Sequence, residues 1–128
     1  MPLNSSAAIL LVDDQPVSVA VTQSILTRLG YHSVDTTTSP AEALERIRTR
    51  RYEVVISYWH MPITDGPALF KQAKEAAGSR CPKFLFLTGD HRWGCMVTAR
   101  DLGADGFVVK PPRPADLMER LSQSLYMM

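Results

Sequence analysis

The chain has 128 residues, of which 45% are hydrophobic and 21% charged, and its formal net charge is +1. This length fits one compact domain, and the composition excludes the disordered class, which combines few hydrophobic residues with high net charge. The nearly balanced charge also disfavours nucleic-acid binding by bulk attraction to a polyanion. We therefore expect residues 1–128 to form a single folded domain.

Two further classes of protein are disfavoured by particular residues. The two cysteines, Cys81 and Cys95, cannot form a disulfide framework, and neither lies at a metal-ligand spacing. The amino-terminal apolar run ends at Asp13 and Asp14 without a preceding basic segment, so it resembles neither a secretion signal nor a membrane span. These features predict a protein of the cytoplasm that does not associate with membranes.

Short apolar runs alternate with longer segments whose apolar residues recur every three or four positions. This alternation predicts five βα units and an α/β fold with a doubly wound parallel sheet. The predicted strands are Ala8–Val12, Ser33–Thr37, Glu53–Ser57, Lys83–Thr88 and Gly106–Val109.

The intervening segments predict amphipathic helices. In the first helix, which follows Pro16 and stops at Gly30, four-residue spacing places Val17, Val21, Ile25 and Leu29 on the expected buried face. The second begins with a capping box at Ser39–Glu42, and the third begins at Asp65–Pro67. The fourth spans about residues 91–102. The fifth, after Pro114, is expected to bury Leu117, Leu121 and Leu125.

Polar residues follow the strands where each one ends. Asp13 and Asp14 follow the first strand, Tyr58 the third, Thr88 ends the fourth and Lys110 follows the fifth. In an open parallel sheet these carboxyl ends form the ligand-binding edge. Carboxylate oxygens hold hard cations such as Mg²⁺, whereas a hydroxyl and an ammonium group stabilise phosphoryl oxygens. The pattern is typical of phosphoryl chemistry, although it lacks a carboxylate nucleophile on the third strand.

Four motifs together resemble the receiver domain of two-component response regulators, the CheY-like family, over essentially the whole chain. They are LLVDD at 10–14, VVISYWHMPITDG at 54–66, FLTG at 86–89 and GADGFVVKP at 103–111. The resemblance implies a flavodoxin-like (βα)5 fold with strand order 2-1-3-4-5. It also implies a frequently cis bond between Lys110 and Pro111.

The same resemblance assigns roles to single residues. Asp13 and Asp14 resemble the acidic pair that binds Mg²⁺, Thr88 the switch hydroxyl, Phe107 the switch aromatic residue and Lys110 the lysine that contacts phosphate. The phosphate-accepting aspartate of the family is replaced by Tyr58. A second departure is Pro112, where the family commonly has an aromatic residue.

Tyr58 changes the chemistry that is expected at this position. An aspartate with a pKa near 3.9 is ionised at neutral pH, whereas a phenol with a pKa of about 10 is ionised in roughly one molecule in a thousand. The longer ring is also expected to fill the phosphoryl site. We expect Tyr58 to donate to Asp14 or Asp13, or to lie beside Lys110, and we expect Mg²⁺ binding to be weakened by the missing carboxylate.

These observations favour a receiver that is not phosphorylated at the usual site, is not an enzyme, and regulates a protein partner. The alternatives are a metal-dependent receiver that phosphorylates a substitute acceptor, such as Ser57 or Asp65, and a small Mg²⁺-dependent phosphohydrolase. The resemblance places the partner surface at about 91–102, 106–110 and 114–127, where weak homodimerisation is also expected.

The chain also has a basic run of Arg46, Arg48, Arg50 and Arg51. This run is interpreted as a solvated face, with an anionic ligand or partner as the alternative.

Overall fold

A computed structural model describes residues 6–89 and 103–126. These residues contain a five-stranded parallel sheet in the order β2-β1-β3-β4-β5, which confirms the predicted fold class and strand order. The strands are β1 (Ile9–Val12), β2 (Val34–Thr37), β3 (Val54–Tyr58), β4 (Lys83–Thr88) and β5 (Gly106–Val109). The predicted β3 is therefore shifted by one residue, and it ends at Tyr58 itself.

Four helices cover the sheet within the described residues. They are α1 (Pro16–Arg28), α2 (Pro40–Thr49), α3 (Gly66–Ala77) and α4 (Pro114–Tyr126), and a short 3-10 turn at Gly78–Arg80 follows α3. The predicted helix at about 91–102 lies outside the described residues. No helix in the described ranges is long and apolar enough to span a membrane.

Alternation along the strands divides the core into two layers. One layer joins β1 residues such as Ile9 and Leu11 to Leu26 of α1 and Leu117 of α4. The other joins Leu10 and Val12 to residues of α2 and α3. The central strands β1, β3 and β4 are therefore buried on both faces, which explains why they read as largely continuous apolar runs rather than as alternating ones.

Local sequence signals place the starts of α2 and α3 correctly. The Ser39 side chain accepts a hydrogen bond from the Glu42 amide at 3.2 Å, as the capping box predicts. Asp65 accepts from the Ala68 amide at 2.9 Å and so caps α3. Proline near each helix start supplies a backbone angle suited to the first turn.

The predicted buried face of α1 is wrong at its first two members. Val17 and Val21 are 77% and 47% exposed, whereas Val19, Thr22 and Leu26 are buried. The reason is geometric, because a step of four residues advances about 40° beyond one full helical turn. A strict four-residue series therefore rotates around the helix, and only its later members, Ile25 and Leu29, pack partly against the core.

Candidate functional site

Asp13 is the buried centre of the polar cluster at the carboxyl edge of the sheet. It directly follows β1, and its side chain has no solvent exposure. Its Oδ1 accepts from the Gln15 amide at 3.0 Å, and its Oδ2 accepts from the Ser18 hydroxyl and from Lys110 Nζ, each at 2.5 Å. Both carboxylate oxygens are thus occupied by donors from the protein.

Lys110 connects Asp13 to Tyr58. Its side chain is 13% exposed and extends from the end of β5, with Nζ at 3.6 Å from the centroid of the Tyr58 ring. An ammonium group over the face of an aromatic ring is stabilised by the ring quadrupole, and burial strengthens that attraction. The lysine therefore has two partners, a carboxylate and a π-face. The Lys110–Pro111 bond is cis, as expected.

Tyr58 ends β3 at the point where strand order reverses. The register Val12↔Ser57 brings this end beside Asp13, and the half-buried ring packs against both core layers. Its hydroxyl extends toward Gly89, where it lies 3.8 Å from the position that a Cβ atom would occupy. The ring therefore reaches across the carboxyl end of β4.

Of the three arrangements expected for Tyr58, the structure shows the one beside Lys110. Within the described residues, no hydrogen bond joins the phenol to Asp13 or Asp14. Burial raises the pKa of Tyr58, and the negative charges of Asp13 and Asp14 raise it further. The phenol is consequently even less ionised at neutral pH than free tyrosine, which weakens it as a nucleophile.

Protein donors already engage half of the acidic pair that would hold a magnesium ion. Asp14 Oδ1 is buried and has no hydrogen-bond partner among residues 6–89 and 103–126. Asp13, however, already has donors on both oxygens, one of them a cation. In the described ranges, no three side chains of the His, Cys, Asp or Glu type are grouped to hold a metal ion.

Thr88 and Phe107 lie on neighbouring strands. Thr88 ends β4 with 1% exposure, and its carbonyl accepts from the Lys110 amide at 2.7 Å. Phe107 of β5 is half-buried against the core layer that contains Phe86, its register partner on β4. The structure thus joins Asp13, Tyr58 and Lys110 by direct contacts, with Thr88 linked to Lys110 through the backbone.

The substitute acceptors have other partners. Ser57 is completely buried, and its hydroxyl donates to the Tyr58 carbonyl at 3.1 Å. Asp65 is exposed, but its side chain caps α3. Ser57 is closed to a phosphate donor, and phosphorylation of Asp65 would remove a helix cap.

Ser18 is a site residue that sequence analysis missed. It lies in the first turn of α1, and its hydroxyl donates to Asp13 Oδ2. A signal was present, because an aspartate just before a helix accepts bonds from that helix's first turn. The sequence does not say which hydroxyl the carboxylate reaches.

Gly66, at the start of α3, holds the loop after Tyr58 close to the sheet. Its amide donates to the Trp59 carbonyl at 2.9 Å, and an added Cβ would lie 2.6 Å from the Tyr58 carbonyl oxygen. We expect Gly66→Ala to lower the free energy of unfolding by about 2 kcal/mol, because a fixed backbone atom must move. Chemical denaturation measures this loss.

Gly89→Ala provides the matched control on the other side of Tyr58. Among the described residues, a Cβ at this position meets the Tyr58 hydroxyl alone, at 3.8 Å, which is ordinary contact. We expect its stability to change by less than about 0.5 kcal/mol. Equal losses in the two variants would contradict the close approach at Gly66.

Comparisons with known proteins agree with this architecture. The sequence model of a family described as "Response regulator receiver domain" matches residues 9–122. The chain is 26% identical over 121 residues to chemotaxis protein CheY-3 of Vibrio cholerae serotype O1, covering 94% of this chain and 93% of that protein.

Solved structures with the same fold include two bacterial examples. Chemotaxis protein CheY4 of Vibrio cholerae superposes with a TM-score of 0.83 at 28% identity, covering 93% of this chain and 98% of that one. A putative response regulator from Chloroflexus aurantiacus gives a TM-score of 0.86 at 25% identity, covering 94% and 98%.

Proposed function

This chain belongs to the response regulator receiver domain family, and from that premise we propose that it is a pseudo-receiver: a regulatory, protein-binding domain that does not accept phosphate at the usual position. One observation carries the proposal, namely the Tyr58 ring at the end of β3 with the Lys110 ammonium 3.6 Å from its centroid. The ring takes the place of the nucleophile, and it also engages the lysine that would contact a phosphoryl group.

The chemistry of the neighbouring groups supports the same proposal. Phosphoryl transfer depends on positioned charge and on an ionised nucleophile. Burial raises the pKa of Tyr58, and Asp13 is already paired with Lys110. We therefore propose that the domain is not an enzyme and that any Mg²⁺ binding is weak.

A fixed docking surface follows from the same contacts. The family resemblance places output contacts on the last strand and helix, and Lys110 directly follows that strand here. We propose that the Asp13–Lys110–Tyr58 cluster holds β5 in one arrangement without phosphate. The described part of the surface comprises β5 and α4, with an open depression lined by residues such as Phe107, Asp116 and Arg120. Segment 91–102 completes the proposed surface but lies outside the described residues.

The test uses the unmodified chain with acetyl phosphate and Mg²⁺. We expect intact-mass spectrometry to find no added phosphoryl group, because neither a carboxylate nucleophile nor a free phosphate-contacting lysine is available. A stoichiometric mass increase would contradict the proposal, and peptide mapping would then identify the substitute acceptor.

Mg²⁺ binding is measured separately by tryptophan fluorescence. The chain has two tryptophans, so a Trp93→Phe variant isolates Trp59, which lies next to Tyr58 with 8% exposure. We expect no change in emission up to tens of millimolar Mg²⁺. A saturable change at lower concentrations would show that the acidic pair still binds the ion.

A cytoplasmic location stays a prediction from the sequence.

A further inference from the structure

A basic face lies at the amino-terminal edge of the sheet, on the opposite side of the molecule from Tyr58. Arg48 is in the last turn of α2, Arg51 precedes β3, and Arg80 ends the 3-10 turn that leads toward β4. Because parallel strands begin at the same edge, the fold brings Arg80 close to Arg48 and Arg51. All three are exposed.

Neighbouring arginines have acidic partners, whereas these three do not. Arg46 pairs with Glu42, and Arg50 pairs with Asp35. Within residues 6–89 and 103–126, no ion pair or hydrogen bond is formed by the side chains of Arg48, Arg51 or Arg80. The excess positive charge is therefore local, although the whole chain carries only +1.

Two carboxylates near this face accept hydrogen bonds from other groups, and one of them, Glu53, lies beside Arg51 and Arg80. Glu53 accepts from the Ala8 amide at 2.5 Å, which links the segment before β3 to that before β1. Asp35 accepts from both Arg50 and the Tyr52 hydroxyl. The negative ends of α2 and α3 offset part of the arginine charge, but they give none of the three guanidinium groups a hydrogen-bond partner.

Two shallow depressions run together across this face. The first lies between the ends of α2 and α3 over Ile47 and Ala77, and the second continues beside Cys81 and Pro82. Both are lined by Arg51 and Arg80, so they adjoin each other, and together they are called the arginine groove. Arginine presents planar donors that match carboxylates in a bidentate manner.

We propose that the arginine groove binds an extended acidic segment of a partner protein. Its shallow, charged form does not bury a small molecule as mostly apolar ligand pockets do. Tyr52, the aromatic residue at the groove, is buried and bonded to Asp35, so it offers no stacking platform for nucleic-acid bases. Carboxylates spaced along a peptide match three separate guanidinium groups.

The test uses a fluorescein-labelled peptide of alternating Glu and Ser, with fluorescence anisotropy as the readout. Binding of the peptide to the natural chain is compared with its binding to the triple variant Arg48→Gln/Arg51→Gln/Arg80→Gln. The control triple Arg28→Gln/Lys71→Gln/Arg113→Gln makes the same change in net charge at exposed positions outside the groove. We expect the first triple to weaken binding about tenfold or more and the control about twofold or less.

Each other outcome overturns the proposal. Equal weakening in both triples would show attraction to net charge alone, and an equally strong response to a peptide of Gln and Ser would exclude carboxylate recognition. If a single-stranded oligonucleotide bound more tightly than the acidic peptide, the groove would be a nucleic-acid site and not a site for an acidic protein segment. If the natural chain did not bind the peptide at low salt, the groove would not be a binding site for acidic segments. If the first triple does not fold, Arg80→Gln alone must still weaken binding more than Arg28→Gln.

Discussion

Tyr58→Asp is expected to convert this domain into one that accepts phosphate from acetyl phosphate in the presence of Mg²⁺. The substitution places an ionised carboxylate with a pKa near 3.9 at the end of β3. It also removes the ring that engages Lys110, so the ammonium becomes available to phosphoryl oxygens. Intact-mass spectrometry should show the addition of one phosphoryl group, located at position 58 by peptide mapping.

Tyr58→Asn is the matched control for that experiment. It removes the same ring and has nearly the shape of aspartate, but it has no nucleophilic carboxylate. We expect no labelling of this variant. If Tyr58→Asp folds and stays unlabelled, then the loss of receiver chemistry extends beyond residue 58, and the role given to Tyr58 is wrong.

The second large effect is expected at Asp13, which anchors the buried side of the cluster. Asp13→Ala removes the carboxylate that accepts from Lys110, Ser18 and the Gln15 amide. Breaking a buried ion pair from one side leaves the other charge without its partner, and we expect unfolding free energy to fall by about 3 kcal/mol. Urea denaturation followed by circular dichroism measures the change.

Two comparisons separate the loss of the Asp13–Lys110 ion pair from general destabilisation of the fold. Asp14→Ala should cost less than about 1 kcal/mol, since Asp14 Oδ1 has no hydrogen-bond partner to lose. Adding Lys110→Met to Asp13→Ala should recover part of the loss, because no unpaired ammonium then remains. An additive double variant would contradict the coupling between Asp13 and Lys110.

Much of the architecture is readable from local sequence. Apolar runs on both faces mark buried strands, and the caps Ser39 and Asp65 mark helix starts because their side chains bond to amides only three residues away. The face of α1 was predicted wrongly in its first half, because a strict four-residue series rotates around the helix. A helix can turn about its axis at little local cost, and only packing on the sheet selects Val19 over Val17.

The features of the candidate site also fall into those that follow from local sequence and those that depend on the fold. Chain order and side-chain chemistry alone place Asp13, Tyr58, Thr88 and Lys110 at or next to the strand ends, with a phenol rather than a carboxylate at position 58. The three-dimensional fold was needed to see that Lys110 lies between Asp13 and the Tyr58 ring, and that Ser18 joins them. It was also needed to see that Arg48, Arg51 and Arg80 line the same groove. Contacts between residues distant in sequence depend on strand register and on competition among partners, which no local pattern records.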